Sequence, residues 1–460
     1  MGCEGCWEKQ QKIDSQQQRI EYLERQLKTQ KRKERDGYFG SSTPSSKKPF
    51  KENPSPESPR KNGGGKPGHP GHGRRSFTEA EADVVQSCHT SGVCPVCGGL
   101  LEHRGQEQRS IIETGSTRAQ KHVVTCDIDR CCTCGKTVKA KPAALPKSLY
   151  GNMLTSQACI LHFLHGIPVG RLEEQWGALV TNGVLFKIFQ RVSKYWEPAY
   201  DALIKAYREA PVVHADETGW RTDGASGYAW IFCTADMSIF QFRSTRSSEV
   251  PKKVFGPGPL GGTLVVDRYG GYNKLPIQIQ YCYAHLLRTV EDLGKEFDQN
   301  TEVQDFVNDL AAPLAEAMRL HTKDYDDPQY YQEAETLKTT ITDAVNAEAQ
   351  HLGIRNIQDI FRINEHRLYH WAYDRRVPAH NNRAERDIRS TVIARKVSFG
   401  SQSAAGAHAR SILMTILHTA RKRLRGDSVE TWFKDCLDHI AADKTVDTAT
   451  LLPKPFTDTS

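Results

Sequence analysis

The stretch PVVHADETGW, residues 211–220, decides how this chain is organised. Its apolar start is typical of a buried strand, and the strand is expected to end at the carboxylate of Asp216. A second apolar run, residues 263–266, is followed in the same way by Asp267. If the two runs form neighbouring strands, both side chains emerge together at the surface of the sheet.

A third carboxylate, Glu385, lies in HNNRAERDIRS (residues 380–390), where the pattern is helical. Glu385, Ile388 and Val392 fall on one helix face, and a carboxylate on an apolar face is costly unless it is paired or metal-bound. The alternative is a surface ion pair with Arg389 at i, i+4. For each aspartate, the alternative is a turn residue that merely ends a strand.

Two strand-borne aspartates and a helix-borne glutamate are the parts of a two-metal phosphoryl-transfer site. Two Mg²⁺ ions about 3.5–4 Å apart can activate an attacking oxygen and stabilise a leaving one. Mg²⁺ prefers oxygen ligands, so the protein must supply carboxylates. Asp216, Asp267 and Glu385 are therefore candidate catalytic and Mg²⁺-binding residues. Because Asp and Glu are common, only the motifs around these three residues make the assignment specific. His285 and Arg288 follow the last predicted strand and are candidates to contact a phosphate; the alternative for His285 is a buried residue that packs the helix start.

The composition suits a soluble chain of several domains with a polyanionic partner. Of 460 residues, 38% are hydrophobic and 25% charged, and the formal net charge is +7. Residues 1–80 contain 17 Lys and Arg against 10 Asp and Glu, so this basic arm accounts for the whole excess. A basic arm suggests binding to nucleic-acid phosphates, although it would also serve as a solubilising tail. Neither a membrane span nor a secretory signal is visible, which predicts a cytoplasmic, nucleoid-associated protein.

Paired cysteines predict a structural zinc site. Cys94 and Cys97 form one C-x2-C pair, Cys131 and Cys134 form another, and each pair is followed by Gly. Four thiolates at tetrahedral geometry make a closed Zn²⁺ site, and alternating residues between the pairs indicate a zinc ribbon. The alternative is a small domain with free thiols. Cys132, next to the second pair, could replace one ligand.

The N-terminal arm predicts a dimerising helix followed by a linker. Ile13, Ile20 and Leu27 recur every seven residues, which indicates a short coiled coil, and the alternative is a solvated helix. The low-complexity segment after it cannot bury enough apolar surface to fold alone. Within that segment, Lys66, Arg74 and Arg75 are candidates to contact DNA phosphates.

The remaining patterns complete a multidomain α/β organisation. Short helices before residue 209 suit a helix-turn-helix reader, although periodicity equally allows a plain helical bundle. Three strands in a meander followed by helix-linked strands is the order of a ribonuclease-H-like, mixed five-stranded sheet. The predicted domains are 1–36 coiled-coil helix, 37–80 disordered basic linker, 81–145 zinc ribbon, 146–208 helical DNA-binding module, 209–289 first part of the core, 290–375 helical insertion, 376–425 second part with the catalytic helix, and 426–460 C-terminal tail.

Four motifs carry a resemblance to a known family. They are HADET (214–218), VVDRYGGY (265–272), CYAHLLR (282–288) and NNRAER (381–386). Together they resemble the DDE transposases of the insertion-sequence-66 family, in which such motifs surround three catalytic carboxylates matching Asp216, Asp267 and Glu385. KPGHPGHGR (66–74), the cysteine pairs and GAHARSILMTILHTA (406–420) are also similar to that family. Arg268, directly after the second aspartate, is a departure that removes no carboxylate.

The resemblance implies a transposase that cleaves DNA at the ends of its insertion sequence and joins those ends to a target. It implies a ribonuclease-H-like catalytic domain, divalent metal and DNA as partner. The heptad pattern adds the expectation of a homodimer or higher oligomer on DNA, and accessory proteins of the element are possible further partners. Two alternatives remain at this stage. One is a non-catalytic DNA-binding regulator derived from a transposase, against which the intact carboxylates argue, and the other is a nuclease of the same fold that cuts without joining.

Overall fold

The computed structural model describes residues 76–114 and 118–456, together with five positions of an N-terminal helix. These five are helical and exposed: Gln16, Arg19, Ile20, Leu23 and Leu27. The rest of the predicted coiled coil lies outside the described residues, as does most of the predicted linker, including Lys66, Arg74 and Arg75.

The N-terminal sheet has four strands: β1 (Val84–Cys88), β2 (Leu101–Thr114), β3 (Ala119–Cys131) and β4 (Thr137–Lys139). β3 pairs with all three others, parallel to β1 and antiparallel to β2 and β4. The β2–β3 ladder places Leu101 opposite Cys131. Because Leu101 closely follows the first cysteine pair and Cys131 opens the second, this register brings the two pairs to the same end of the sheet.

Four helices follow: α1 (Asn152–Cys159), α2 (Val169–Trp176), α3 (Asn182–Tyr195) and α4 (Glu197–Glu209). α1 continues directly into one π-helical segment, residues 160–164. Gly177, at φ 72°, ends α2 in a conformation that a side chain would disfavour. Buried residues of these helices, such as Leu172, belong to the same hydrophobic core as the second sheet, as does Trp196 between α3 and α4.

The second sheet is built from β5 (Val212–Thr222), β6 (Ala225–Cys233), β7 (Ser238–Arg243), β8 (Thr263–Val266) and β9 (Gln278–Tyr281), with α5 (Glu249–Phe255) between β7 and β8. The strand order is β7-β6-β5-β8-β9. β5, β6 and β7 form an antiparallel meander, whereas β8 and β9 run parallel to β5. This agrees with the predicted multidomain α/β class and its mixed five-stranded sheet.

The prediction that the first strand ends at Asp216 is wrong, because β5 continues to Thr222. The part that ends near Asp216 is the pairing of β5 with β8, whose last partners are His214 and Val265. Beyond this point β6 is the neighbouring strand of β5, with Asp216 opposite Ile231. Near the end of β5, Thr222 also forms an isolated bridge with Ser401. The end of the apolar run therefore marks the point where β5 loses β8 as its neighbour, and not the end of β5 itself.

Helices make up most of the remaining chain. They are α6 (Tyr283–Glu296), α7 (Thr301–Leu320), α8 (Asp327–Asn346), α9 (Leu352–Ile363), α10 (His370–Tyr373), α11 (Asn382–Ser398), α12 (Ala404–Leu424) and α13 (Val429–Ala442). Local capping explains several of the starts. Asn300 accepts a hydrogen bond from Val303 N at the start of α7, and Asp326 forms a capping box with Gln329 at the start of α8.

α12 covers one edge of the second sheet, the edge formed by β7. The backbone N–H groups of Ser238, Phe240 and Phe242 on edge strand β7 donate to hydroxyls of Thr419, Thr415 and Ser411. Four helix residues rise about 6 Å and two strand residues about 6.6–6.8 Å, so the two spacings match. The hydroxyl row therefore satisfies donors that an open edge would leave unpaired.

The predicted C-terminal tail folds onto the body of the protein. α13 packs against α1, and the ring of Phe433 stacks on Trp196, with ring centroids 5.5 Å apart. Trp432 Nε1 donates to Leu451 O and holds the segment that follows α13. Among the described residues, no helix is long and apolar enough to cross a membrane.

Candidate active site

The register of β5 and β8 places the two predicted aspartates side by side. Val212, Val213 and His214 pair in parallel with Thr263, Leu264 and Val265. Continuing that register by two residues sets Asp216 level with Asp267. Side chains alternate along a strand and neighbouring strands lie about 4.8 Å apart, so both carboxylates point to the same face. The prediction that the two apolar runs form neighbouring strands is confirmed, although Asp216 lies within β5 and not at its end.

The pKa of Asp216 responds to the charges of both other predicted carboxylates, Asp267 and Glu385. Burial and the nearby charges of Glu217 and Asp267 raise the pKa of Asp216 well above its ordinary value. Glu385 raises that pKa further. Repulsion between carboxylates has this effect only at short range, and a bound cation reverses it. A divalent cation bound between these carboxylates would therefore relieve their mutual repulsion.

α11 carries Glu385 in its first turn and is attached to β5 at both ends. At its start, buried Asn381 donates from its side chain to Ala215 O at 2.8 Å and contacts His214 Nδ1 through Oδ1 at 3.0 Å. The helix begins at Asn382, and the Asn381 side chain makes no capping bond. Thirteen residues further on, Arg395 donates to Gly219 O at 2.6 Å. These bonds hold the helix-borne carboxylate against the strand that bears Asp216.

Glu385 faces His285, the first residue of the predicted phosphate-contacting pair. His285 Nδ1 lies 4.0 Å from Glu385 Oε1. Both atoms are buried, and neither has a hydrogen-bond partner within the described part of the chain. The surface ion pair of Glu385 with Arg389 does not form. Buried polar atoms without partners are rare in folded proteins and are typical of places where a ligand or solvent belongs.

Cys282 lies beside this pair but functions as an anchor. Its sulfur, a ring nitrogen of His285 and an oxygen of Glu385 lie within 4.8 Å of one another. Burial raises the pKa of Cys282 to about 12, and its sulfur accepts a bond from Asn381 N at 3.1 Å. A neutral thiol is a poor ligand for a hard cation. The oxygens of Asp216, Asp267 and Glu385 do not form so close a group among the described residues.

Sequence reasoning missed a fourth carboxylate and its cation. Glu217 is buried, and burial followed by the charge of Asp267 raises its pKa. Arg246 Nε lies 2.8 Å from Glu217 Oε1, and the Tyr272 hydroxyl donates to Oε2 at 2.5 Å. The guanidinium of Arg246 also lies 4.0 Å from the ring centroid of Tyr269.

This network joins the segments that carry the two aspartates. Tyr269 N donates to Asp267 Oδ1 at 2.9 Å, so Arg246 contacts residues next to both Asp216 and Asp267. The adjacent acids of the DET step were a visible signal for Glu217. Arg246 had no local signal, because its partner lies 29 residues away.

The four predicted cysteines come together at one end of the N-terminal sheet. Cys94 Sγ lies 3.6 Å from Cys134 Sγ, and Cys97 Sγ lies 3.5 Å from Cys131 Sγ. All four sulfurs lie within 4.8 Å of one another, and Cys132 is outside the group. A bond from Cys134 N is the main cause that lowers the pKa of the Cys131 thiol to about 6. The cluster is able to hold a thiolate-binding metal ion.

Arg288 takes a more peripheral place. It is exposed, one helical turn beyond His285 on α6. Residues three apart on a helix lie on the same face, so Arg288 extends the side of α6 that carries His285.

The comparisons with known proteins identify the family. The model of the family described as "Transposase IS66 family" matches residues 147–409, more than half of the chain. The chain belongs to the IS66 transposase family. The resemblance predicted from the four motifs is thereby confirmed. The matched range contains Asp216, Asp267 and Glu385, whereas the four-cysteine cluster lies before it.

A relative from Sinorhizobium fredii (strain NBRC 101917 / NGR234) extends the similarity. This IS66-family chain is 22% identical over 433 residues to a protein named "Uncharacterized protein y4hP". The alignment covers 82% of this chain and 75% of the relative.

Proposed function

We propose that this chain is a DNA transposase that binds the ends of its insertion sequence, cleaves there and joins the freed 3′ ends to target DNA. The observation that carries the proposal is the side-by-side register of Asp216 and Asp267 next to the helix that bears Glu385. Membership of the IS66 transposase family supports the same chemistry.

The proposed core is ribonuclease-H-like. An antiparallel meander continued by two parallel strands supports this assignment, with residues 209–289 and 376–425 forming the core and 290–375 an inserted helical part. Residues 1–36 would form a coiled coil that dimerises the chain on DNA, and residues 146–208 would form a DNA-binding helical module. The segment 81–145 is proposed to be a zinc ribbon.

The residues suit a pair of Mg²⁺ ions. Asp216 and Asp267 would hold one ion jointly, and Glu385 with Asp216 the other, since carboxylates spread wider than one coordination sphere suit two ions. When bound, Mg²⁺ would neutralise charge on the attacking and leaving oxygens. The unpartnered His285 Nδ1 is aimed at the site and would donate to the scissile phosphate. Arg288, Lys66, Arg74 and Arg75 would contact phosphates further along the DNA.

The reaction would proceed in two displacements at the same residues. Water attacks the phosphodiester at the element end, and the bond to the 3′ oxygen breaks, which leaves a 3′ hydroxyl. That hydroxyl attacks a phosphodiester of target DNA, displaces a second 3′ oxygen and forms the joint. Asp216, Asp267 and Glu385 keep the reacting groups in line throughout.

Zn²⁺ is proposed for the cysteine cluster. A tetrahedral Zn²⁺ with Zn–S distances of about 2.3 Å requires sulfurs about 3.8 Å apart. The observed separations of 3.5 and 3.6 Å are close to that value. The ion would join the two turns and support the sheet that precedes the core.

The test uses the full chain and labelled DNA carrying the sequences that flank its own gene. With Mg²⁺ or Mn²⁺, we expect cleavage at the element ends and joined product in a target plasmid. Asp216→Asn should reduce both to background and leave DNA binding intact. Asp223→Asn is the matched control, since it makes the same change at the exposed tip of the β5–β6 turn, where φ is 53°.

Two results would contradict the proposal. Normal joining by Asp216→Asn would remove this residue from the reaction. Cleavage without any joined product, under conditions that keep the DNA ends bound, would identify a nuclease of the same fold.

A further inference from the structure

The outer face of α11 has an unusual composition. Its exposed residues recur at helical spacing along one stripe, which consists of Asn382, Arg386, Arg389, Ile393, Lys396 and Val397. Three of the six are cations and none is acidic. Arg386, Arg389 and Lys396 make no ion pair within the described residues. Most solvated helix faces mix both signs of charge, so this stripe is a concentrated positive potential.

Large apolar side chains share this face. Ile393 is 58% exposed, Val397 46%, and Phe399, just past the helix end, 70%. Phe399 also has a φ of 59°, a left-handed conformation that glycine adopts more easily. An exposed ring at a strained position is unfavourable on its own, so its position points to a ligand that covers it.

The turn that carries Phe399 is held rigidly. Ser401 N donates to Arg221 O at 2.8 Å, and Asp223 N donates to Ser401 O at 2.8 Å. Trp220 Nε1 donates to Ser401 Oγ at 3.1 Å. Together with the attachment of α11 through Asn381 and Arg395, these bonds fix the stripe relative to Asp216.

The stripe begins beside the candidate active site. Arg386 is the next residue after Glu385, and Arg389 lies one turn further along nearly the same line. From residue 386 to residue 399 the helix rises about 20 Å, the length of roughly six base-pair steps. A polyanion whose reacting phosphate meets Glu385 would therefore run along this face.

We infer that the outer face of α11 binds the DNA segment next to the reacting phosphate, with Arg386, Arg389 and Lys396 on its phosphates and Phe399 against an unpaired base. The inference rests on the proposed function and adds a binding surface for the DNA substrate, here called the substrate track, along the outer face of α11. A second copy of the chain is a poor occupant, since two such faces would bring six cations together. Aromatic rings accept unstacked bases of any sequence, which suits the end of a processed strand.

The test measures binding of the full chain to fluorescein-labelled mixed-sequence duplexes, one blunt and one with a single-stranded 3′ extension. Replacing Arg386, Arg389 and Lys396 together by Gln should weaken binding by at least about tenfold at low salt and reduce the slope of log K against log salt by about 3. The matched control replaces Arg355, Lys444 and Lys454 by Gln. These three cations are exposed and lie outside α11. That control should retain the affinity and the slope.

The variant Phe399→Gly tests the contribution of the aromatic ring to DNA binding without loss of fold stability. Glycine relaxes the left-handed turn, so thermal stability should be kept or increased. Binding of the duplex with the extension should fall about five- to one-hundred-fold, whereas binding of the blunt duplex should change little.

The outcomes distinguish this inference from the proposed function. A wild-type chain that cleaves and joins DNA, together with a triple variant of unchanged affinity and salt slope, overturns the track and leaves the transposase intact. If the wild-type chain never cleaves or joins DNA but the triple variant loses DNA binding, the proposed reaction is refuted and the DNA-binding surface on α11 is supported. Equal losses on both duplexes for Phe399→Gly would overturn the base contact.

Discussion

Asn381 should be the residue whose removal most directly separates Glu385 from Asp216. Its side chain is 1% exposed and makes two bonds to β5, with Ala215 O and with His214 Nδ1. Asn381→Ala leaves both of those buried groups unsatisfied, and each orphaned group costs about 1–3 kcal/mol. The expected loss of unfolding free energy is therefore about 2–6 kcal/mol. Asn381→Asp keeps an acceptor for His214 but sets a buried carboxylate oxygen against Ala215 O, so its cost should be at least as large.

The functional effect should exceed the loss of stability. The start of α11 is no longer held against β5, and a shift of about 1 Å in a catalytic group can reduce a rate about a hundredfold. DNA binding along the outer face of α11 should persist, because the Arg395 bond to Gly219 remains. The measurements are urea unfolding followed by Trp fluorescence, metal-dependent DNA cleavage and duplex binding.

Asn382→Ala is the control, since this neighbouring side chain is exposed. It should unfold within about 0.5 kcal/mol of the wild type. The reasoning fails if Asn381→Ala is as stable as Asn382→Ala, or if it cleaves DNA at the wild-type rate while its stability is reduced.

Two further predictions concern the zinc cluster and the buried histidines. Chelation, or Cys131→Ser, should release one Zn²⁺ per chain and make residues 84–139 sensitive to limited proteolysis; a wild-type digestion pattern after metal release would count against a structural ion. Burial lowers the pKa of both His162 and His418 to about 3. Unfolded histidine has a pKa of about 6.5, so the unfolded chain binds protons first, and each residue should cost about 1.4 kcal/mol of stability per pH unit below that value. His418→Gln should reduce the slope of unfolding free energy against pH, between about pH 6 and pH 4.5, by about 1.4 kcal/mol per pH unit, the contribution of one proton. An unchanged slope would exclude His418 as a contributor.

Local sequence signals determined the family, the sheet class and the candidate site residues. Apolar runs ending in Asp216 and Asp267 mark buried strands, and the motifs around them carry the family resemblance that the comparison confirms. The C-x2-C spacing likewise selected four thiols that the β2–β3 register brings together. These signals were readable because each depends on residues within a few positions of one another.

Only the tertiary structure decided how those residues are held. Arg246 meets Glu217 across 29 residues, Asn381 meets Ala215 across 166, and Thr419 meets Ser238 across 181. A hydrogen bond between such distant positions leaves no periodicity or spacing in the chain. The position of Glu385 opposite His285 has the same origin, because a bond from Tyr283 N to Ala379 O joins the start of α6 to the segment before α11. Contacts between distant segments depend on the packing of whole elements, and local patterns do not encode that packing.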